Sequence, residues 1–217
     1  MPNVIHMPPR GHYLANEVAA LAGVSGDRIG QWARRGYIRA SWSEPGDSPL
    51  VYSYQDVAEA MIVHELLENG NSHDEVKAAI ANLRKDSGSA WPLTRAGVVT
   101  ADGAVVVERG GRHYEVGLRP WQRFIDDRHL REVASELHRG GWAARELPQL
   151  RHIEVDPDRL SGRPVIRGRR VPVALVAEAA NEPEGLEILR EDYELSDDEI
   201  QDAKRWAATT QRYLAAP

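Results

Sequence analysis

The 217-residue sequence contains no cysteine, one phenylalanine and three methionines. Without cysteine there is no disulfide framework and no thiolate to serve as metal ligand or nucleophile, which suits a reducing compartment. No apolar run approaches the roughly 18 residues a membrane span requires. The opening stretch MPNVIHMPPRGHYL has no charged region followed by an apolar core, so it does not read as a secretory signal. A phosphate-cradling glycine loop, a nucleophile elbow and a metal-ligand cluster are missing too. The expectation is a soluble, cytoplasmic protein that is not an enzyme, with no catalytic residues, no metal, no cofactor and no membrane partner.

What is present is unevenly distributed charge. The net charge of −6 argues weakly against nucleic acid, but distribution matters more than the total. Between Met1 and Trp42 five arginines face two acids, a local excess of +3. From Arg151 to Arg170 six arginines face three acids, again +3, whereas from Glu182 to Glu199 nine acids face Arg190 alone, a local −8. Two basic islands sit in an acidic chain.

The first organised segment, YLANEVAALAGVSGDRIGQWARRGYI, carries Val18, Leu21 and Ala22 as a helical stripe closed by Gly23. Ser25 is placed to cap a second helix through Ile29 and Trp32, ending at Gly36. Two short helices joined by a tight turn, the second bearing Arg28, Gln31, Arg34 and Arg35, read as a helix-turn-helix. The turn residues of RASWSEPGDSPLVYSY lie between two β-prone ends and predict a two-stranded wing. Ser53 opens a helix through Val57, Met61, His64 and Leu67. Ser72 and Glu75 predict a capping box for another, with Val76, Ala79, Ile80 and Leu83 on one face. The polar stretch 86–92 reads as a boundary.

Residues 97–117 change period. Asp102-Gly103 and Gly110-Gly111 are favoured hairpin turns between three β-rich runs, so a three-stranded meander is expected. An aromatic linker with Trp121 and Phe124 leads to a helix bearing Leu130, Val133, Ala134 and Leu137, ended by Gly140-Gly141. The last segment offers a strand, HIEVDP, and an extended piece, SGRPVIRG. Three helices follow, the final one boxed by Ser196 and Glu199 and carrying Ile200, Ala203, Ala207 and Leu214. The organisation expected is mainly α with small β elements, in units 1–85, 93–149 and 150–217.

Three local patterns have a functional and a structural reading. His64 and Glu68 lie one helical turn apart and could share a metal, but His64 continues an apolar stripe and no third ligand is nearby, so a structural histidine is expected. Asp156-Pro157-Asp158 could supply an acid pair, yet it is a turn signature first. Arg109-Gly110-Gly111-Arg112 is similar to RNA-binding tracts, but a single copy between β runs reads as a hairpin turn.

The first 85 residues resemble the winged-helix DNA-binding domain of the MerR family, through Val18 to Ser25, Trp32, Gly36-Tyr37-Ile38, Tyr54-x-Asp56-Val57 and the Asn69-Gly70 to Val76-Lys77 junction. That resemblance implies major-groove contact by Arg28 and Gln31, and backbone contact by Arg34, Arg35 and Arg39. Two positions depart from the family: Gly30 stands where a phosphate-binding arginine is usual, and Asp27 where a cation is common. The family's long dimerisation helix and sensing cysteines are absent.

The segment HIEVDP…SGRPVIRGRRVPV…EILREDYELSDDEIQDAKRWA resembles domain of unknown function 433, found in VapB-type and related antitoxins. Its glycines and prolines are expected to bend the chain so that Val165, Ile166 and Val171 pack inward and the arginines point out. The resemblance implies an antitoxin that neutralises a PIN-type ribonuclease toxin and represses its own promoter DNA as a homodimer. Arg163, Arg167, Arg169 and Arg170 are the candidate toxin contacts; they could equally touch DNA or pair with the acids of 182–199. The alternative reading is a ligand-responsive MerR-like transcriptional regulator with a C-terminal sensor.

Overall fold

The structure is a computed structural model and describes residues 9–44, 46–124, 130–132, 145–147, 150–156 and 159–211. Among these residues the chain forms eight α-helices and three small antiparallel sheets, the mainly helical architecture expected.

The N-terminal helix pair is α1 (Ala15–Ala22) and α2 (Gly26–Arg35). Gly23 and Gly36 take left-handed backbone (φ 74° and 80°) and end the two helices, as a C′ glycine does most readily. Ser25 caps α2 by accepting the Arg28 amide at 3.3 Å. Behind the pair lie α3 (Tyr54–Glu68) and α4 (His73–Ser87). Val18, Ile29, Trp32, Ile62, Leu66 and Ile80 are buried in one core between them.

The wing differs from expectation. Its return strand β2 (Val51–Tyr52) pairs with β1 (Tyr13–Leu14) at the start of the domain, not with the 39–43 arm. The 39–43 arm stays a loop, held by the Trp42 amide donating to the Val51 carbonyl at 3.2 Å and the Val51 amide to Ser43 Oγ at 2.7 Å. The Trp42 indole donates to the Gly11 carbonyl at 2.7 Å, and its ring stacks on His12 at 4.6 Å. β2 thus has the N-terminal segment on one edge and the 39–43 arm, bonded at Val51 without pairing as a strand, on the other.

The polar stretch 86–92 runs back along α3. Trp91 donates to Asp56 Oδ1 at 2.8 Å, Leu93 is fully buried, and α5 (Pro92–Ala96) presents the Thr94 amide to Glu59 at 2.8 Å. The meander follows as β3 (Val98–Ala101), β4 (Ala104–Arg109) and β5 (Arg112–Glu115), turning at the two hairpins expected. Arg109 pairs across its hairpin with Arg112, joins Asp86 in an ion pair and lies 4.1 Å over the Trp121 ring. The aromatic linker becomes a fourth strand, β6 (Arg123–Phe124), and β7 (Arg131–Glu132) adds a fifth beside β3. The helix expected from Leu130 thus begins as a strand at residues 131–132; its continuation through Gly141 lies outside the described residues.

Glu75 explains how the sheet is held. Ser72 caps α4 as expected, accepting the Glu75 amide at 3.1 Å, but the Glu75 carboxyl does not close a box. It accepts the Val105 amide, in the central strand β4, at 3.0 Å and the Leu118 amide, in the loop after β5, at 2.8 Å instead. Gly117 permits this: a Cβ there would sit 1.8 Å from Glu75 Oε1. Asn82 adds bonds to the Val116 and Gly117 carbonyls, each at 2.9 Å.

The C-terminal part pairs β8 (Arg145–Leu147), β9 (Leu150–Val155) and β10 (Val165–Ile166) in a three-stranded sheet, followed by α6 (Val173–Ala179), α7 (Pro183–Glu191) and α8 (Asp197–Gln211). Ser196 and Glu199 box α8 as expected, exchanging bonds at 2.7 and 3.3 Å. Val165 and Ile166 are fully buried, while Val171 is only partly so. Helix α8 packs against both α6 and α1, which places the C-terminal part behind the helix-turn-helix.

Candidate nucleic-acid interface

Helix α2 has a strict division of faces. Ile29 and Trp32 are buried beneath it, and Tyr37, just past its end, donates to the His73 carbonyl at 3.2 Å, fixing α2 against the start of α4. Arg28, Gln31, Arg34, Arg35 and Arg39 are all exposed. Among the described residues none of these arginines has an ion-pair partner, although Arg28 lies 5.8 Å from the Trp32 ring. The result is a rigid helix with cations and one amide on its open side, chemistry suited to base edges and phosphates.

The two departures noted in the sequence acquire a physical account. The Arg34 guanidinium folds back over Gly30, with Nη1 3.2 Å from where a Cβ would stand. The guanidinium of Arg34 thus lies beside position 30. Asp27 is exposed in the first turn of α2, where its charge complements the helix macrodipole but opposes an approaching phosphate.

The second basic island is less uniform than expected. Arg163 and Arg170 are exposed, whereas Arg167 and Arg169 are half-buried. Arg169 turns inward: its guanidinium donates to the carbonyls of Tyr193 (2.8 Å) and Glu194 (3.0 Å) and lies 3.5 Å from Glu199. It clips the segment to the link between α7 and α8, with Arg190 and Asp197 paired nearby at 2.8 Å. The outward orientation expected of all four arginines therefore fails for Arg169, and also for Arg167, whose Nε and Nη2 are buried. The turn before them, Leu160–Gly162, has both Leu160 and Ser161 at positive φ (47° and 55°). The Tyr13 hydroxyl donates to the Gly162 carbonyl, and burial pushes that phenol well above its ordinary range, so it remains a donor. This bond ties the start of the helix-turn-helix to the arginine segment. No local sequence signal announces it, because the partners lie 149 positions apart.

The structural readings of the remaining patterns can be placed. His64 lies on α3, half-buried, with Nδ1 4.0 Å from Glu68 Oε1. Among the described residues no group of three or more His, Cys, Asp or Glu could hold a metal. The Asp156 carbonyl accepts the Arg159 amide at 3.0 Å in a turn, and Arg159 pairs with Glu154; Asp158 lies outside the described residues. No helix among the described residues is long and apolar enough to cross a membrane.

Two family models match separate parts of the chain. Residues 13–83 match the profile described as MerR HTH family regulatory protein, and residues 153–207 match that described as protein of unknown function (DUF433). Neither description names a catalytic activity. The X-ray crystal structure of Rv2018 from Mycobacterium tuberculosis superposes with a TM-score of 0.52 at 19% identity, covering 88% of this chain and 96% of that one, which is a likeness of fold. Among curated proteins none matches the chain. The exposed arginines of α2 thus lie in a MerR-type helix-turn-helix domain, and the chain joins that domain to a C-terminal DUF433 domain.

Proposed function

We propose that the chain is the antitoxin of a type II toxin–antitoxin pair, which neutralises a PIN-type ribonuclease by direct binding and represses the shared promoter as a homodimer. The observation that carries this reading is the pair of exposed cationic surfaces on separate, rigidly backed elements: α2 with Arg39, and the segment bearing Arg163 and Arg170. One short recognition helix reads only a few base pairs, so useful specificity calls for two half-sites about one duplex turn apart, hence two copies. A PIN-type ribonuclease works through an acidic, metal-binding pocket, and a cation placed there competes with the metal. Desolvated arginine–carboxylate pairs at such an interface couple by as much as several kcal/mol, far more than exposed rim pairs.

The test is co-expression of the full chain with the product of the adjacent reading frame, followed by an RNA cleavage assay on the purified complex. The full chain is used because the units proposed as 1–85, 93–149 and 150–217 are stitched together at Glu75, Asn82 and Tyr13. Arg169 is a poor target because it holds the domain together; Arg163 and Arg170 are free of that duty. Changing both to Ala is expected to weaken inhibition at least tenfold, about 1.4 kcal/mol, with the melting temperature unchanged. Failure of the neighbouring product to co-purify, or equal inhibition by the double variant, would remove the antitoxin reading.

The DNA side makes a separate expectation at Asp27. Asp27→Asn takes a negative charge from the face turned to phosphate and is expected to tighten duplex binding a few-fold at low salt. The effect should fade as salt screens it, with a stability loss of only about 0.3–1 kcal/mol from the helix dipole. Weaker binding by the variant would mean that this end of α2 does not approach DNA.

A further inference from the structure

We propose that the cavity of about 760 Å³ between the helix-turn-helix and α8 is a binding site for a small, uncharged, planar aromatic molecule. The volume lies within the range of about 300–1,000 Å³ typical of small-molecule sites, which favour junctions between folded units. Its floor is the end of α1 and the turn that follows, where Ala19, Ala20, Ala22 and Gly23 are small and Leu21 and Val24 add apolar surface. A bulky aromatic side chain at position 20 would narrow the space.

The remaining walls set the chemistry. Met61 and Trp206 line the cavity, and both are otherwise buried. A polarizable thioether and an indole ring favour a flat π-system over a branched aliphatic one. The charged side chains in the lining, Glu65 and Arg205, are of opposite sign, and Arg205 donates to Asp202 at 3.3 Å, so the site has no net demand for a charged ligand. His64 also lines the cavity: its Nδ1 is turned to Glu68, 4.0 Å away, while its Nε2 edge lies towards the floor at Gly23. An imidazole nitrogen on that edge can hydrogen-bond a ligand carrying one polar group. The same contacts reach the reading head: the Val24 amide, in the turn, donates to the Ala19 carbonyl at 3.0 Å, on the cavity floor. A ligand here would brace that turn.

The site is independent of the antitoxin reading, because its test needs neither DNA nor toxin. The probe is 1-aminoanthracene, an uncharged fused aromatic with one amine donor, titrated into the full chain. The expected result is a fluorescence enhancement that saturates at one molecule per chain, with slower amide exchange at residues 23 and 24. Ala20→Phe, at a half-buried position on the floor, should weaken binding at least tenfold. Thr209→Trp, on the exposed rim of α8, should do the same and serves if the first variant does not fold. Enhancement that never saturates, or two folded variants that bind as the unaltered chain does, would overturn the proposal.

Discussion

Replacing Asp56 with alanine is expected to lower the stability of the protein by about 3–5 kcal/mol, a large share of the roughly 5–15 kcal/mol that holds a typical domain together. The Asp56 carboxyl is fully buried and accepts four hydrogen bonds. Oδ1 takes the Ser41 hydroxyl at 2.7 Å and the Trp91 indole at 2.8 Å; Oδ2 takes the amides of Ser41 at 2.9 Å and Ser53 at 2.8 Å. These donors come from the wing, the start of α3 and the stretch leading into α5, so one side chain joins three pieces of chain. Alanine would strand them, and each buried donor left unpaired costs about 1–3 kcal/mol, reduced where Ser41 can regain water. Asp56→Asn is expected to cost less, because the Ser41 hydroxyl can turn to accept from the new amide while the Trp91 indole cannot. Urea midpoints ordered native, Asn, Ala would support this account. Unfolding free energies within about 0.5 kcal/mol of one another, the range of ordinary surface substitutions, would show that the hub carries little of the stability.

Glu59, one turn further along α3, gives the protein a pH dependence of a definite sign. The side chain is buried, and burial is the main cause that pushes its carboxyl up to about 8; bonding to Thr94 and the charge of Arg84 partly oppose this, and Asp56 adds to it. The folded state therefore keeps the proton over a range where the unfolded chain, with an ordinary carboxyl near 4.5, has lost it. Its contribution is fully present below pH 4.5, declines as pH rises towards 8 and is flat beyond. A fully titrating difference of one proton is worth about 1.4 kcal/mol per pH unit, so the loss across the window is on the order of a few kcal/mol. Glu59→Gln mimics the protonated form and should remove this slope, leaving the variant the more stable protein at pH 8.5 and about equal to native at pH 4.5. Unfolding curves for the two proteins that stay parallel from pH 4.5 to 8.5 would contradict the assignment.

The parts of this molecule legible in its sequence are those whose causes are local. Ser25, Ser53 and Ser196 cap helices because their hydroxyls reach amides three residues on, and Gly23 and Gly36 end helices because left-handed backbone costs glycine nothing. The two hairpins of the meander follow from Asp102-Gly103 and Gly110-Gly111 for the same reason. What was not legible depends on partners far along the chain. Glu75 has the spacing of a capping box, but the amides of Val105 and Leu118, more than 25 positions away, compete for its carboxyl and win. The stretch 86–92 has the composition of a linker, yet Asp56 and Glu59 offer acceptors that draw Trp91 and Thr94 onto α3. Arg169 looks like its neighbours in sequence; only the carbonyls of Tyr193 and Glu194, left open where α7 ends, set it apart. The cationic face of α2 could be read because a helix with Ile29 and Trp32 inside must turn Arg28, Gln31 and Arg35 outward.

That face is the central claim, and the salt dependence of duplex binding tests it most directly. The affinity of the full chain for a fragment of its own upstream region would be measured across a salt series, beside Arg28→Ala and Arg35→Ala. Arg28→Ala is expected to cost on the order of 1–3 kcal/mol and to relax base preference at one position of each half-site. Arg35→Ala is expected to weaken binding to all sequences alike and to lower the steepness of the salt dependence by about one. If both variants bind that fragment as the native chain does, at every salt concentration, α2 is not the element that reads DNA.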